Sequence, residues 1–520
     1  MSLACAHAVA LVGLDGRIVE VEAHTGPGLP RTILVGLPDT SLYEARDRCK
    51  AAVHSSQQTW PNTLLTINLS PATLPKQGSG YDLAIVTAVL AAADVVKAVE
   101  LRDTVFLGEL GLDGRVRPVR GVLPATLAAA QAGFRRVIVP YRQAGEAQLV
   151  DGIEVLGLAS LAQLIAVLRH EPVPDAEPVD LAPPSQHRLS SDTALDLADV
   201  AGQLEAKWAV EVAAAGRHHL LFTGPPGVGK TMLAARLPGL LPDLTVTEAL
   251  EVSAVHSLAG FDLSDGLVRR PPYADPHHSA SMASIVGGGP GLARPGAVSC
   301  AHRGVLFLDE APEFSVKVLE ALRVPLESGV INLNRSHGLT RYPARFQLVM
   351  AANPCPCGQS GTVRASCLCP PMAVRRYTAK LSAPIRDRVD ITQHFRPLKR
   401  HQLKATLAQG EPSAFVAQRV EQARDRQERR LAGTGWHANS EVTGAYLRHH
   451  LPQPDGLHLL DRAAERGLLT PRGIDKAWRV SWTIADLVGK DKPGVDEIGI
   501  ALAMRQGDQL GPRDAIGEVS

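Results

Sequence analysis

Over the first 170 residues, short apolar runs alternate with segments rich in Ala and Leu. Ile33-Leu34-Val35-Gly36, Leu64-Leu65-Thr66-Ile67-Asn68-Leu69 and Arg136-Val137-Ile138-Val139-Pro140 predict strands. Leu83 to Ala92 and Leu123 to Ala132, built from strong helix formers, predict helices. The texture then breaks: Pro172, Pro174, Pro178, Pro183 and Pro184 stand among acids and serines, which predicts an exposed linker over 171–193. From about Ala194 apolar strand patterns return, before Gly224, at Val305–Leu308 and at Phe346–Ala352, and they stop at about Pro397. Beyond that point Arg419–Arg430 opens a region of helical period. The plan is α/β: an N-terminal unit over 1–170, the linker, an α/β core over 194–397 and a helical unit over 398–510.

Composition narrows the function classes. A chain of 520 residues exceeds what one core organises, which agrees with several domains. Lys+Arg 54 against Asp+Glu 53 gives a formal charge of +1, so there is no global basic field and any nucleic-acid contact must use local patches. The N-terminus lacks a basic segment followed by a long apolar run, and no apolar stretch approaches ~18 residues. A membrane role is excluded on this reading, and the cytoplasm is the expected location. Seven cysteines, four of them between 355 and 369, do not form a disulfide framework in a chain of this length.

The first core strand runs into Gly224-Pro225-Pro226-Gly227-Val228-Gly229-Lys230-Thr231 and an apolar helical continuation. This strand–loop–helix carries the G-x-x-x-x-G-K-T pattern. Its backbone N–H groups can cradle a polyphosphate, Lys230 can reach the β/γ oxygens, and Thr231 can present its hydroxyl to Mg²⁺. ATP and Mg²⁺ are thus the expected cofactors. The strand Val305–Leu308 ends in Asp309 and Glu310. Asp309 suits the Mg²⁺ shell and Glu310 the polarisation of an attacking water. The strand Phe346–Ala352 ends in Asn353, placed to hold that water or the γ-phosphate.

Together with Ser382-Ala383-Pro384-Ile385-Arg386-Asp387-Arg388-Val389-Asp390, this series resembles an AAA+ ATPase. Asp275-Pro276-His277-His278-Ser279, Val286-Gly287-Gly288-Gly289, Arg294-Pro295-Gly296 and Asn353-Pro354-Cys355-Pro356-Cys357-Gly358 narrow it. With them the chain resembles the ComM/YifB family of magnesium-chelatase-like AAA+ proteins over nearly its whole length. The resemblance implies an arginine finger at Arg388 that serves the adjacent subunit, and a sensor arginine at Arg472 that acts within its own subunit. It also implies a homo-hexameric ring, a finger given to a neighbour requiring a ring or a filament, and a helical lid after the core.

The segment Asp275–Gly296 resembles the pore-facing insertion of this clade and offers His277, His278 and Arg294 to DNA. Adjacent histidines point to different sides and would need two further ligands to hold a metal, so phosphate contact or packing is the expected role. Gly329–Tyr342 reads as a hairpin whose tip offers Arg335, His337 and Arg341 to an anionic backbone such as that of DNA. Cys355, Cys357, Cys367 and Cys369 form two C-x-C pairs able to close a tetrahedral, structural Zn²⁺ site beside the ATP site. Cys5, Cys49 and Cys300 read as buried small apolar residues.

Leu74–Leu83 followed by Asp113–Gly121 resembles the α+β fold of Lon-type proteases, of the ribosomal S5 domain 2 kind. The Ser-Lys dyad of that fold would need a serine at 80 and a lysine at 123, where this chain has Gly80 and Leu123. A displaced dyad of Ser79 and Lys76 is disfavoured because both lie on one loop. The unit is expected to bind a protein partner, nucleic acid or its neighbours in the ring. The combined reading is an ATP-driven ring motor on DNA, in branch migration during recombination or natural transformation. The alternative is a chelatase-type motor that remodels a protein partner for metal insertion.

Overall fold

Ser2–Val12 and Asp15–Gly26 pair antiparallel along their whole length, from Ser2 opposite Thr25 to Val12 opposite Asp15. Ala4, Ala6, Ala8 and Ala10 are buried on one face of the first strand. Such small side chains let the helix Asp82–Ala92, in which every residue is buried, lie close against the sheet. The computed structural model describes residues 2–36, 40–74, 76, 78–179, 195–289, 293–335, 338–360, 367–397 and 410–508. The first sheet has seven strands in the order Arg31–Val35, Leu64–Ser70, Asp15–Gly26, Ser2–Val12, Thr104–Phe106, Arg136–Pro140 and Glu154–Leu158. It mixes antiparallel with parallel pairs, as an α+β unit does.

A second sheet is wholly parallel, in the order Tyr273–Ala274, Val305–Leu308, Gln347–Ala352, Leu220–Thr223 and Ile391–His394. Every residue of Val305–Leu308 and of Gln347–Ala352 is buried, which is why these strands read as continuous apolar runs. Thr223 sits level with Ala352 on one side and His394 on the other, so the loops after three neighbouring strands open on one edge. In open parallel sheets that carboxyl edge is where ligands sit.

The C-terminal helices Ser413–Arg430, Pro471–Val488 and Val495–Gln506 pack on the core. Arg424 donates to the Ala214 carbonyl (2.6 Å) and Gln427 to that of Ala215 (3.0 Å), which satisfies carbonyls left open at the end of the helix Leu204–Gly216. Asp390, buried at the amino edge of the sheet, accepts from Lys476 Nζ (2.6 Å) and from the His219 N–H (2.8 Å). Burial alone would raise this carboxyl, but the Lys476 charge and these hydrogen bonds outweigh it and hold the group well below the usual range. Lys476→Met strands the buried carboxylate and is expected to cost about 3–5 kcal/mol. Urea unfolding at neutral pH should show this loss. Because the folded pKa is depressed, the pair's contribution should be complete above the unfolded value of about 3.9 and fade as pH falls through the folded one. An Asp390→Asn, Lys476→Met double variant as unstable as the single one would contradict the assignment.

The two sheets are joined through side chains. Glu146, buried, accepts from the Leu123 N–H (3.0 Å) and from the Ser257 hydroxyl, tying the N-terminal unit to the helix Val246–Ala259. Among the described residues no helix is long and apolar enough to cross a membrane.

Candidate nucleotide-binding site

The strand Leu220–Thr223 delivers its loop at the carboxyl edge, and the helix Lys230–Ala234 begins at once. Gly229 takes φ +97°, a conformation that would strain any residue with a side chain, to turn the chain into that helix. Lys230 is buried, and its Nζ donates to the carbonyls of Gly224 (2.5 Å) and Pro225 (2.9 Å) and to Asn353 Oδ1 (2.9 Å). Burial lowers the Lys230 pKa, while the charges of Asp309 and Glu310 oppose that shift. Thr231 Oγ1 donates to Asp309 Oδ2 at 2.7 Å. Hydroxyl and carboxylate are therefore close enough to share the shell of one Mg²⁺.

Glu310 follows with φ +49°, a left-handed backbone that costs a non-glycine residue about 1–2 kcal/mol. Its N–H donates to Asp309 Oδ1 (2.9 Å), and its side chain is 51% exposed at the loop's mouth. His278 Nδ1 lies 3.6 Å from Glu310 Oε2, and the His277 and His278 rings pack at 4.1 Å. The structure thus gathers Lys230, Thr231, Asp309, Glu310 and Asn353, as the sequence pattern predicts, and adds His278. The histidine belongs to a segment that sequence reasoning assigned to DNA, and nothing in its spacing pointed to Glu310.

Arg388 and Arg472 lie elsewhere. They precede or flank the strand Ile391–His394, which runs parallel to Leu220–Thr223 with Leu220 opposite Ile391. They therefore sit near the amino edge, about 13 Å of strand away from the phosphate loop. Arg388 pairs with Glu327 and donates to the Pro384 carbonyl (2.9 Å), while its Nε is buried with no partner among the described residues. Arg472, 69% exposed, is 3.7 Å from Asp387 and 3.9 Å from Glu327. The two arginines share a cavity of about 710 Å³ with Arg217, Arg303 and Arg345. Arg472 is expected to serve its own subunit's nucleotide, but within the chain it does not stand beside the phosphate loop: the helix Pro471–Val488 begins on the far edge of the sheet, beside Arg388.

The predicted hairpin forms between Val330–Arg335 and Gly338–Pro343. Arg341 is exposed on it, and Tyr342 Oη donates to the Ala293 carbonyl (2.5 Å), joining the hairpin to the Asp275–Gly296 segment. Arg335 ends its strand, and His337 lies outside the described residues. Arg294 is exposed, and its charge together with burial lowers the pKa of Arg120 from the N-terminal unit. Arg120 thus lies within electrostatic range of Arg294, a proximity unseen in the sequence because more than 170 residues separate the two.

The four clustered cysteines come together. Cys355 and Cys357 sulfurs are 3.3 Å apart, Cys367 is 3.6 Å from each, and all four sulfurs lie within 4.8 Å of one another. A tetrahedral ion with Zn–S bonds near 2.3 Å would set its sulfurs about 3.8 Å apart, so this donor set fits zinc. The Ser360 N–H donates to Cys355 Sγ (3.3 Å), an outer contact of the kind that supports thiolates. Hydrogen bonding from the Gln359 backbone and the neighbouring sulfurs brings the Cys357 thiol down to about 7. Of the solitary cysteines Cys49 is buried and burial pushes the Cys300 thiol up, although that residue is partly exposed as a whole; Cys5 is partly exposed, which corrects its reading.

In the N-terminal unit the Ser79 hydroxyl donates to Glu109, while Lys76 Nζ donates to the carbonyls of Gly36 (3.1 Å) and Pro71 (2.5 Å). Serine and lysine thus have separate partners, against a displaced protease dyad.

Comparison with known proteins follows the same division. Residues 196–403 match the family described as magnesium chelatase, subunit ChlI, residues 21–143 match subunit ChlI of Mg-chelatase, and residues 410–505 match the ChlI C-terminal family. An uncharacterized protein of Mycobacterium tuberculosis is 52% identical over 513 residues, 97% of this chain and 99% of its own. Competence protein ComM of Haemophilus influenzae is 40% identical over 507 residues, 97% of this chain and 98% of its own. Lon protease 1 of Myxococcus xanthus is 29% identical over 134 residues, 24% of this chain and 16% of its own.

Proposed function

Since the chain belongs to the ComM/YifB family of magnesium-chelatase-like AAA+ ATPases, we propose that it is a ring motor that spends ATP to move DNA strands. Lys230 and the loop N–H groups hold the β- and γ-phosphates, and Thr231 and Asp309 hold Mg²⁺. Glu310 accepts a proton from the water that attacks the γ-phosphorus, Asn353 fixes that water, and ADP and phosphate leave. What supports a ring is the division of the charged set. The Lys230 group lies at the carboxyl edge of the sheet and the arginines at the amino edge. On this reading Arg388 and Arg472 both reach a nucleotide held by the adjacent subunit, Arg388 after leaving its pairing with Glu327.

DNA as the cargo is supported by exposed Arg341 on a hairpin tied through Tyr342 to the Asp275–Gly296 segment, by exposed Arg294 of that segment with Arg120 in its electrostatic range, and by likeness to a protein named for competence. The His278–Glu310 contact supports a route from that segment to the hydrolytic water. The role is branch migration in recombination or natural transformation. The N-terminal unit, Lon-like in fold, is read as a docking module, and the four cysteines as a structural zinc site. With a formal charge of +1, affinity for DNA should come from few phosphate contacts per subunit summed around the ring. Replacing Arg335 and Arg341 together by alanine should weaken binding of unrelated sequences alike and flatten the salt dependence of log K. Unchanged affinity and slope in a titration from low to moderate salt would remove the hairpin from the interface. An ATPase that answers to a protein partner and not to DNA would favour the chelatase-type alternative.

A further inference from the structure

The turn that carries the first cysteine pair leans on the phosphate loop. Cys355 follows Asn353 by two residues and is fully buried, and Asn353 Oδ1 receives the Lys230 ammonium (2.9 Å). The chain then folds back through a bond from the Gly358 N–H to the Cys355 carbonyl (2.9 Å). Gly358 has φ +73°, and a Cβ there would stand 2.7 Å from Pro226 Cδ and 3.1 Å from Pro226 Cγ, with Asn353 Cγ at 3.9 Å. Pro226 is the centre of the phosphate loop. A backbone packed that closely on a proline ring leaves the loop little room to move, provided the turn itself is held.

The cysteines can hold it. Cys355 and Cys357 lie on the turn, Cys367 and Cys369 arrive from further along the chain, and the four sulfurs already stand at zinc-like separations. From this packing we infer that the four-cysteine centre is a zinc site that braces the phosphate loop through Gly358 and Pro226, so that nucleotide affinity depends on the metal. The inference rests on the nucleotide and zinc readings above and adds the coupling between them. With four thiolate ligands a zinc ion here would have no open position for ATP or water, and the four cysteines would fix the backbone that presents Asn353 to Lys230 and Gly358 to Pro226, as positioning residues.

The test measures metal and nucleotide separately on the full chain. Elemental analysis of protein purified without chelator should give one zinc per chain, and titration of a fluorescent ATP analogue gives the dissociation constant. Cys355→Ser with Cys367→Ser should lose the zinc and weaken nucleotide binding by about tenfold or more. Gly358→Ala keeps all four ligands and should keep the zinc. Its added methyl and left-handed φ should displace Pro226 and weaken binding by about fivefold or more. No metal, with four thiols titratable in the folded protein, would overturn the zinc site. Stoichiometric zinc in the unsubstituted protein, lost from the cysteine variant, with affinity unchanged within about twofold in both variants would overturn the coupling while leaving the site standing. Zinc-loaded, unsubstituted protein that binds no nucleotide would overturn the proposal together with the nucleotide reading, and the metal analysis tells that failure from the first.

Discussion

Glu310→Gln is expected to bind ATP at near-normal affinity and to hydrolyse it about 10²- to 10⁴-fold more slowly, the range lost when a positioned general base is removed. Glutamine keeps the size of the side chain, and the geometry around it is fixed by the backbone. Its N–H bond to Asp309 and its left-handed φ need nothing from the carboxylate. What disappears is the capacity to take a proton from water, together with the carboxylate charge that faces His278 and Lys230. Lys230→Ala should act on the earlier step and weaken binding itself, since its ammonium stands at the junction of the loop carbonyls and Asn353. Phosphate release and nucleotide titration on the two variants separate the roles. Full turnover by Glu310→Gln would show that another group activates the water.

Arg388→Ala is expected to reduce turnover by about 10³-fold or more, the scale on which an arginine stabilises the charge of a transferring phosphoryl group. Because this arginine sits on the far edge of its own sheet, the loss should be complemented between subunits. In mixed rings, an Arg388→Ala subunit supplies an intact phosphate loop and a Lys230→Ala subunit an intact arginine, so some interfaces become whole. Arg472 gives a sharper contrast. If it acts on a neighbour's nucleotide, mixing Arg472→Ala with Lys230→Ala restores activity. If it acted on its own, every site in the mixture would be defective. Absence of rescue at any ratio, with hexamers verified by mass, would argue against arginines shared across an interface.

The parts of the nucleotide site that were legible in the sequence are those whose chemistry constrains consecutive residues. A polyphosphate cradle needs its glycines, lysine and threonine at fixed spacing, and a buried strand ending in Asp309 and Glu310 shows as an uninterrupted apolar run. The strand Ser2–Val12 is hidden for a physical reason: four of its five buried positions are alanine, a residue that marks helix more readily than sheet, whereas its partner Asp15–Gly26 buries Val19, Val21 and Ala23 at alternate positions, a strand signal that the reading of the sequence passed over. The place of Arg472, far from its own phosphate loop, is not legible because its motif fixes only the start of a helix. Which edge of the sheet that helix meets is decided by packing among Lys476, Asp390 and Asp387. The His278–Glu310 and Gly358–Pro226 contacts join segments far apart in the chain, and no local pattern encodes either of them.

The central claim, that ATP hydrolysis moves DNA strands, is tested most directly on a labelled three- or four-stranded junction incubated with protein, Mg²⁺ and ATP. The account predicts that the unsubstituted protein displaces a strand in an ATP-dependent way, while Glu310→Gln binds the junction without displacing it. A hexamer that hydrolyses ATP yet neither binds the junction at low salt nor displaces a strand would contradict it.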